Sequence, residues 1–227
     1  MVNTLARSRR RRARRRFLLA CLMLAAILLA IAHFLPRSSA QSMTEPPMPL
    51  AYAYIPSPNC DDRPPNAVIS CIVLHATVVP TVEETIQHFL NPGSKVSAHF
   101  IVGKNGRVVQ MVPVERRAWH AGASVLDGVS HVNDYSVGIE MVNRNDGKDP
   151  YPPEQLMAVA GIIRYLRSRY TIPDSRIVSH ALIALPPGRK SDPIGFDFGK
   201  ICALARKGAP ALPTPPIDQD LNLGAGD

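Results

Sequence analysis

Seven histidines stand in the 227-residue chain, and four of them, His75, His99, His120 and His180, lie in or beside stretches that read as folded structure. His33 falls in an apolar run, His88 on a short helix and His131 in a polar loop, where packing or solvation accounts for them. Imidazole can ligate a metal or move a proton near neutral pH. Neither His-Glu-x-x-His nor Cys-x-x-Cys occurs, so a metal site has to be assembled from distant segments. The stretch from His180 to Asp192 is the strongest such segment. A histidine ends a short strand there, and a Pro/Gly-containing loop leads to Arg189-Lys190-Ser191-Asp192-Pro193. Two imidazoles and one carboxylate leave zinc a fourth position open for water, the arrangement of a hydrolytic site. In an extended Lys-Ser-Asp, Lys190 and Asp192 project to the same side, so the lysine can reach a substrate beside the metal.

These residues need strands and turns to bring them together. The continuous apolar and β-branched run Ala67 to Leu74 predicts a central strand buried on both faces, with His75 at its end. Thr81 and Glu84 have capping-box spacing, which predicts a short helix over Thr81 to Leu90. Asn105-Gly106 signals a hairpin between Ala98–Val102 and Arg107–Val112. Tyr135 to Val142 reads as a further strand, Pro153 to Tyr170 as a helix with Leu156, Val159, Ile162, Ile163 and Leu166 on one face, and Arg176 to Ser179 as a short strand. Strand parity puts Tyr135, Val137, Ile139 and Met141 on one face and Ser136, Gly138 and Glu140 on the other. Small residues therefore leave space beside one acid. The order predicts an α/β domain with a single mixed β-sheet flanked by helices.

The formal net charge of +8 invites a nucleic-acid reading, but its distribution removes it. Eight of the 26 basic residues are arginines between Arg7 and Arg16, in a stretch without an acid. The 18 basic residues from Pro36 onward match the 18 acidic ones, and no nucleic-acid partner is expected. Phe17 to Leu35 then runs without a charge and spans about 28 Å as a helix. The sequence therefore predicts a basic cytoplasmic segment at 1–16 and a transmembrane anchor or signal peptide at 17–35. The membrane becomes a partner through that run, and the location extracytoplasmic: periplasmic, inner-membrane anchored or secreted. Residues 36–65 read as a tether and lead-in loop, 66–208 as the domain and 209–227 as a disordered Pro-rich tail. Cys60 and Cys71 would meet an oxidising compartment there, so a disulfide and two unrelated thiols are equally open. Cys202 reads as the core of a C-terminal helix.

Taken in order, Ile72-Val73-Leu74-His75-Ala76-Thr77, Val96-Ser97-Ala98-His99-Phe100-Ile101-Val102, Ala118-Trp119-His120-Ala121-Gly122, Ser136-Val137-Gly138-Ile139-Glu140, Ser179-His180 and Gly188-Arg189-Lys190-Ser191-Asp192-Pro193 resemble the zinc N-acetylmuramoyl-L-alanine amidases of the AmpD and bacteriophage T7 lysozyme type. Those enzymes are relatives of the peptidoglycan-recognition proteins. The resemblance covers His75 to Phe198. It implies an amidase/peptidoglycan-recognition-like domain that binds zinc through His75, His180 and Asp192, with Glu140 as base and Lys190 stabilising the transition state. Trp119 and His120 are expected along the substrate groove or, equally, in core packing, and His99 is expected to be structural. The implied substrate is peptidoglycan or a muropeptide, cleaved between N-acetylmuramic acid and L-alanine by a monomer. The alternative is a non-catalytic peptidoglycan-binding module of the same fold. Two departures from the family pattern, the long loop Ala181 to Pro187 and Ile194 after Asp192-Pro193, bear on the groove rim.

Overall fold

The computed structural model describes residues 52–207. Ten strands and four α-helices follow one another in this segment: β1 (Tyr52–Tyr54), β2 (Cys60–Asp62), β3 (Cys71–Ala76), α1 (Val82–Leu90), β4 (Phe100–Val102), β5 (Val108–Gln110), β6 (Arg116–Ala118), β7 (Val125–Leu126), β8 (Val129–Ser130), β9 (Ser136–Met141), α2 (Pro153–Arg169), β10 (Ile177–Ser179), α3 (His180–Ile183) and α4 (Phe198–Arg206). Six strands form one mixed sheet in the order β1-β5-β4-β9-β3-β10. Only the β4–β5 hairpin is antiparallel, and the other neighbours run parallel. This is the expected α/β class, with a single main sheet between helices.

The sheet's two faces have different tasks. Ile72 and Leu74 of β3 with Val137, Ile139 and Met141 of β9 pack against Leu156, Val159, Ile162, Ile163 and Leu166 of α2 and Ile201 and Ala205 of α4. On the opposite face, Ile101, Val109 and Met111 receive Val82, Ile86 and Phe89 of α1. The remaining length of that face, at β3 and β9, carries His75 and Glu140. Parity along β9 is as the alternation predicts from Val137 onward. Tyr135 breaks it, because it closes a 3-10 turn before the strand and packs with Cys71 and Val73 on the other face.

Local chemistry sets the element ends. The Thr81 hydroxyl accepts the Glu84 backbone N–H at 3.1 Å, capping α1. Gly106, at φ 82°, turns the hairpin. β3 starts later than the apolar run suggests, at Cys71, and extends one residue past His75. Cys202 does lie buried on α4.

Three expectations change. The domain begins before Asn66, since β1 is an edge strand of the main sheet and β2 pairs with β6. The segment 52–65 alternates too briefly for its pairing to be read from sequence. Cys60 and Cys71 remain separate thiols: Cys60 lies on the β2–β6 ribbon, and Cys71 is wholly buried, where burial pushes its thiol up to about 12.

The third correction concerns the membrane. The run at 17–35 lies outside the described residues, as do 1–16, 36–51 and 209–227. Among the described residues no helix is long and apolar enough to cross a membrane. The longest, α2, has 17 residues, carries Arg164, Arg167 and Arg169, and spends its apolar side on the sheet. The membrane partner, the transmembrane and signal readings, and the extracytoplasmic location that rested on them are withdrawn.

Candidate metal centre and its groove

His75 and Glu140 are each the fifth residue of their strands, and the parallel β3–β9 register sets them side by side. β10 lies on the other side of β3 and ends where Ser179 caps α3, accepting the Leu182 N–H at 3.0 Å. His180 is the first residue of that helix. The loop beyond α3 returns so that Ala181 N–H bonds the Asp192 carbonyl at 3.0 Å, which brings the Asp192 carboxylate under the two histidines.

The three side chains converge on one point. His75 Nδ1 lies 3.0 Å from His180 Nδ1 and 3.4 Å from Asp192 Oδ2, and His180 Nδ1 lies 3.3 Å from the same oxygen. All three residues are buried. Ligands about 2.0–2.1 Å from one tetrahedral ion lie about 3.3 Å apart, which is the spacing seen. The donors also suit a cation chemically. His180 Nε2 faces the Ala121 carbonyl at 3.2 Å, and a carbonyl can only accept. In the neutral ring Nδ1 is therefore a lone pair aimed at a carboxylate oxygen, a repulsive contact that a metal ion between them relieves. The site fits zinc.

Glu140 Oε1 lies 3.9 Å from His75 Nδ1. Its other oxygen, Oε2, is buried without a hydrogen-bond partner among the described residues. Burial, and secondarily the nearby Asp192, push this carboxyl up to about 8, with Lys190 pulling the other way. Lys190 is exposed at the mouth of the same cavity. That cavity, of about 500 Å³, runs from His180, Asp192 and Glu140 past Trp119 to the face of α1 at Thr85 and His88.

Trp119 is half-buried on the cavity wall, and its indole N–H donates to Asp61 Oδ1 at 3.1 Å. Arg117 grips both Asp61 oxygens, at 2.7 and 2.5 Å, and reaches Asp134 at 2.7 Å. His120 lines the same cavity with a largely buried ring, one nitrogen 3.1 Å from His75 and the other 3.2 Å from Ser136. His99 is also internal. Its Nδ1 accepts the Gly138 N–H at 2.9 Å and its Nε2 faces the Arg116 carbonyl at 3.1 Å. Ile194 is exposed, its N–H held by Asn145 Oδ1 at 2.7 Å.

Sequence reasoning missed Asp61, Ser136 and Arg63. Arg63 threads the interior and donates to the carbonyls of Val114, Asn133, Asp134 and Ser136 at 2.8 to 3.2 Å. An Asp and an Arg inside a segment that reads as a tether give no periodic signal. Their partners lie 36 to 73 residues away.

The family model for "N-acetylmuramoyl-L-alanine amidase" matches residues 64–195. The chain is 32% identical over 170 residues to the 1,6-anhydro-N-acetylmuramyl-L-alanine amidase AmpD of Citrobacter freundii, covering 66% of this chain and 88% of that protein. It is 38% identical over 113 residues to the N-acetylmuramoyl-L-alanine amidase AmiD of Escherichia coli K12, covering 44% and 40%. Among solved structures, a selenomethionine AmpD derivative superposes with a TM-score of 0.59 at 31% identity, covering 67% of this chain and 93% of the other. E. coli AmiD in complex with the substrate anhydro-N-acetylmuramic acid-L-Ala-D-γ-Glu-L-Lys superposes with a TM-score of 0.53 at 30% identity, covering 63% and 60%.

Proposed function

The chain belongs to the zinc N-acetylmuramoyl-L-alanine amidase family, and from that premise we propose which residues carry each part of its reaction. The protein is a zinc-dependent hydrolase that cleaves the amide bond between N-acetylmuramic acid and L-alanine in peptidoglycan or muropeptides.

His75, His180 and Asp192 would hold the metal, which when bound would supply Lewis-acid polarisation of the amide carbonyl and a water of lowered pKa. Glu140 takes the proton from that water and delivers it to the departing alanine nitrogen. Placed beside the metal position and facing the groove, this one carboxyl is positioned both to accept and to return the proton. Lys190 at the mouth supplies positive charge to the carbonyl oxygen as negative charge develops there. Trp119, fixed by Asp61, forms a wall for the sugar or the stem peptide.

One observation carries this reading: three metal donors 3.0 to 3.4 Å apart beside a buried carboxyl oxygen with no hydrogen-bond partner among the described residues. An unpaired buried carboxylate is costly. A non-catalytic binding module of this fold has no use for it, whereas a general base does. Mass spectrometry of purified muropeptides incubated with the full chain, with and without added zinc, tests the reading. The expected result is zinc-dependent release of intact stem peptide from the sugar, and an unchanged muropeptide profile with the metal-loaded protein refutes it.

A further inference from the structure

His75 and His180 both turn Nδ1 toward the metal position, but they are held from behind in different ways. His180 Nε2 is fixed by the backbone carbonyl of Ala121 at 3.2 Å. His75 Nε2 meets a side chain, Nδ1 of His120, at 3.1 Å. An imidazole nitrogen can accept or donate, so this contact alone leaves the His75 proton undetermined.

The polarity is settled two contacts further on. His120 Nε2 lies 3.2 Å from the Ser136 hydroxyl, and that hydroxyl lies 2.6 Å from the Val132 carbonyl. The carbonyl can only accept, so the serine's one proton goes to it. Toward His120 the serine oxygen must then accept, and His120 Nε2 carries a hydrogen. In the neutral imidazole one nitrogen donates and the other accepts, so with its hydrogen on Nε2 the His120 ring offers Nδ1 as a lone pair. His75 Nε2 must donate to that lone pair, which leaves His75 Nδ1 free to bind a metal.

The chain of contacts is built into the fold. Ser136 is wholly buried. The His120 backbone N–H and that of Ala121 both bond Asn133 Oδ1, at 3.2 and 2.9 Å, which fixes where the ring can go. The His120 ring occupies the space over β9 that the small residues leave. A Cβ on Gly138 would lie 2.5 Å from its Cγ.

We infer that His120 is a positioning residue for the metal ligand His75: it accepts the His75 Nε2–H, relays its own Nε2–H to Ser136, and so keeps the His75 Nδ1 lone pair directed at His180 and Asp192. Outer partners of metal-bound histidines typically change metal affinity 10- to 100-fold when removed. The inference rests on His75, His180 and Asp192 being the zinc site.

The test compares His120→Leu with His120→Asn in the full chain. The two side chains have similar size, but only asparagine restores an acceptor where the imidazole Nδ1 stood. Zinc affinity is read by competition with a chelator, and the fold by circular dichroism of the metal-free proteins. Loss of affinity by about 10- to 100-fold in His120→Leu, with recovery to within a few-fold in His120→Asn, is expected. Wild-type affinity in His120→Leu overturns the inference, and so does equal loss in both variants with intact folds. Nitrogen-15 NMR of the wild-type metal-free chain decides the matter if the variants misfold. His75 and His120 must both carry the proton on Nε2, and an Nδ1–H on either defeats the proposal. A wild-type chain that takes up no zinc defeats the metal-site reading itself, which this measurement separates from the failure of His120 alone.

Discussion

Glu140 stands opposite His75 across the parallel β3–β9 pair, with Oε1 3.9 Å from the imidazole Nδ1. The carboxyl and the imidazole are therefore fixed to each other by a sheet register and not by a loop. Slipping that register by one residue would put the two side chains on opposite faces of the sheet.

Replacing Glu140 by Gln preserves shape and removes the proton acceptor. The variant is expected to keep its zinc and its thermal stability while turnover falls by about 10²-fold or more. Lys190→Ala is expected to lower kcat more than it raises KM. Hydrolysis of muropeptide by Glu140→Gln at near the parental rate places the base elsewhere.

Metal removal follows a different pattern. Asp192→Ala and His180→Ala each leave two of three donors, so the purified proteins should contain well below one zinc per chain by elemental analysis. Stoichiometric zinc in both variants sinks the ligand assignment. Cys71 is no substitute, because four residues along a strand place it roughly 13 Å from His75.

Gly138→Ala should act on the metal without touching a ligand. The added methyl falls 2.5 Å from the His120 ring, and overpacking of this kind costs about 1–3 kcal/mol. The expected result is a lower melting temperature together with weaker zinc binding. Unchanged values for both mean that the ring is not held where described.

His99 gives the domain an acid sensitivity separate from catalysis. Burial, with nearby Arg63 adding to it, lowers this histidine to about 3. Its hydrogen bonds suit the neutral ring. In the unfolded chain it protonates near 6.5, so the unfolded state binds the extra proton first as pH falls. The stability contribution is complete above about 6.5 and is lost progressively toward about 3, at up to about 1.4 kcal/mol per pH unit. Asparagine at this position keeps the acceptor for Gly138 N–H and cannot titrate. Denaturant unfolding of the parent and His99→Asn between pH 7 and 4 should show a shallower decline in the variant, and parallel curves refute the assignment.

The metal-site cluster and the hairpin were legible in the sequence because each lies in a motif or a period that survives without its neighbours. The alternation of β9 placed Glu140 beside a gap. What fills the gap was not legible, since the His120 ring comes from a loop 16 residues before Ser136 and reaches β9 only after the chain folds back. The sequence left Trp119 open between groove and core packing; it lines the cavity, and its anchor Asp61 lies on a ribbon whose strands are three residues each. Strands that short leave no hydropathy period, and their position is set by partners distant in sequence.

The parallel pairing of β10 with β3 also governs when the site can exist during synthesis. Ile177–Ser179 must reach Ile72–Leu74, and His75 must wait for His180, 105 residues later. Asp192 arrives later still. A nascent chain therefore cannot assemble the centre until nearly the whole domain has left the ribosome. Contacts of this sequence separation carry a large loop-closure cost and slow folding. Metal capture by all three donors is accordingly a late event, since it needs the loop through Asp192 that follows the last strand.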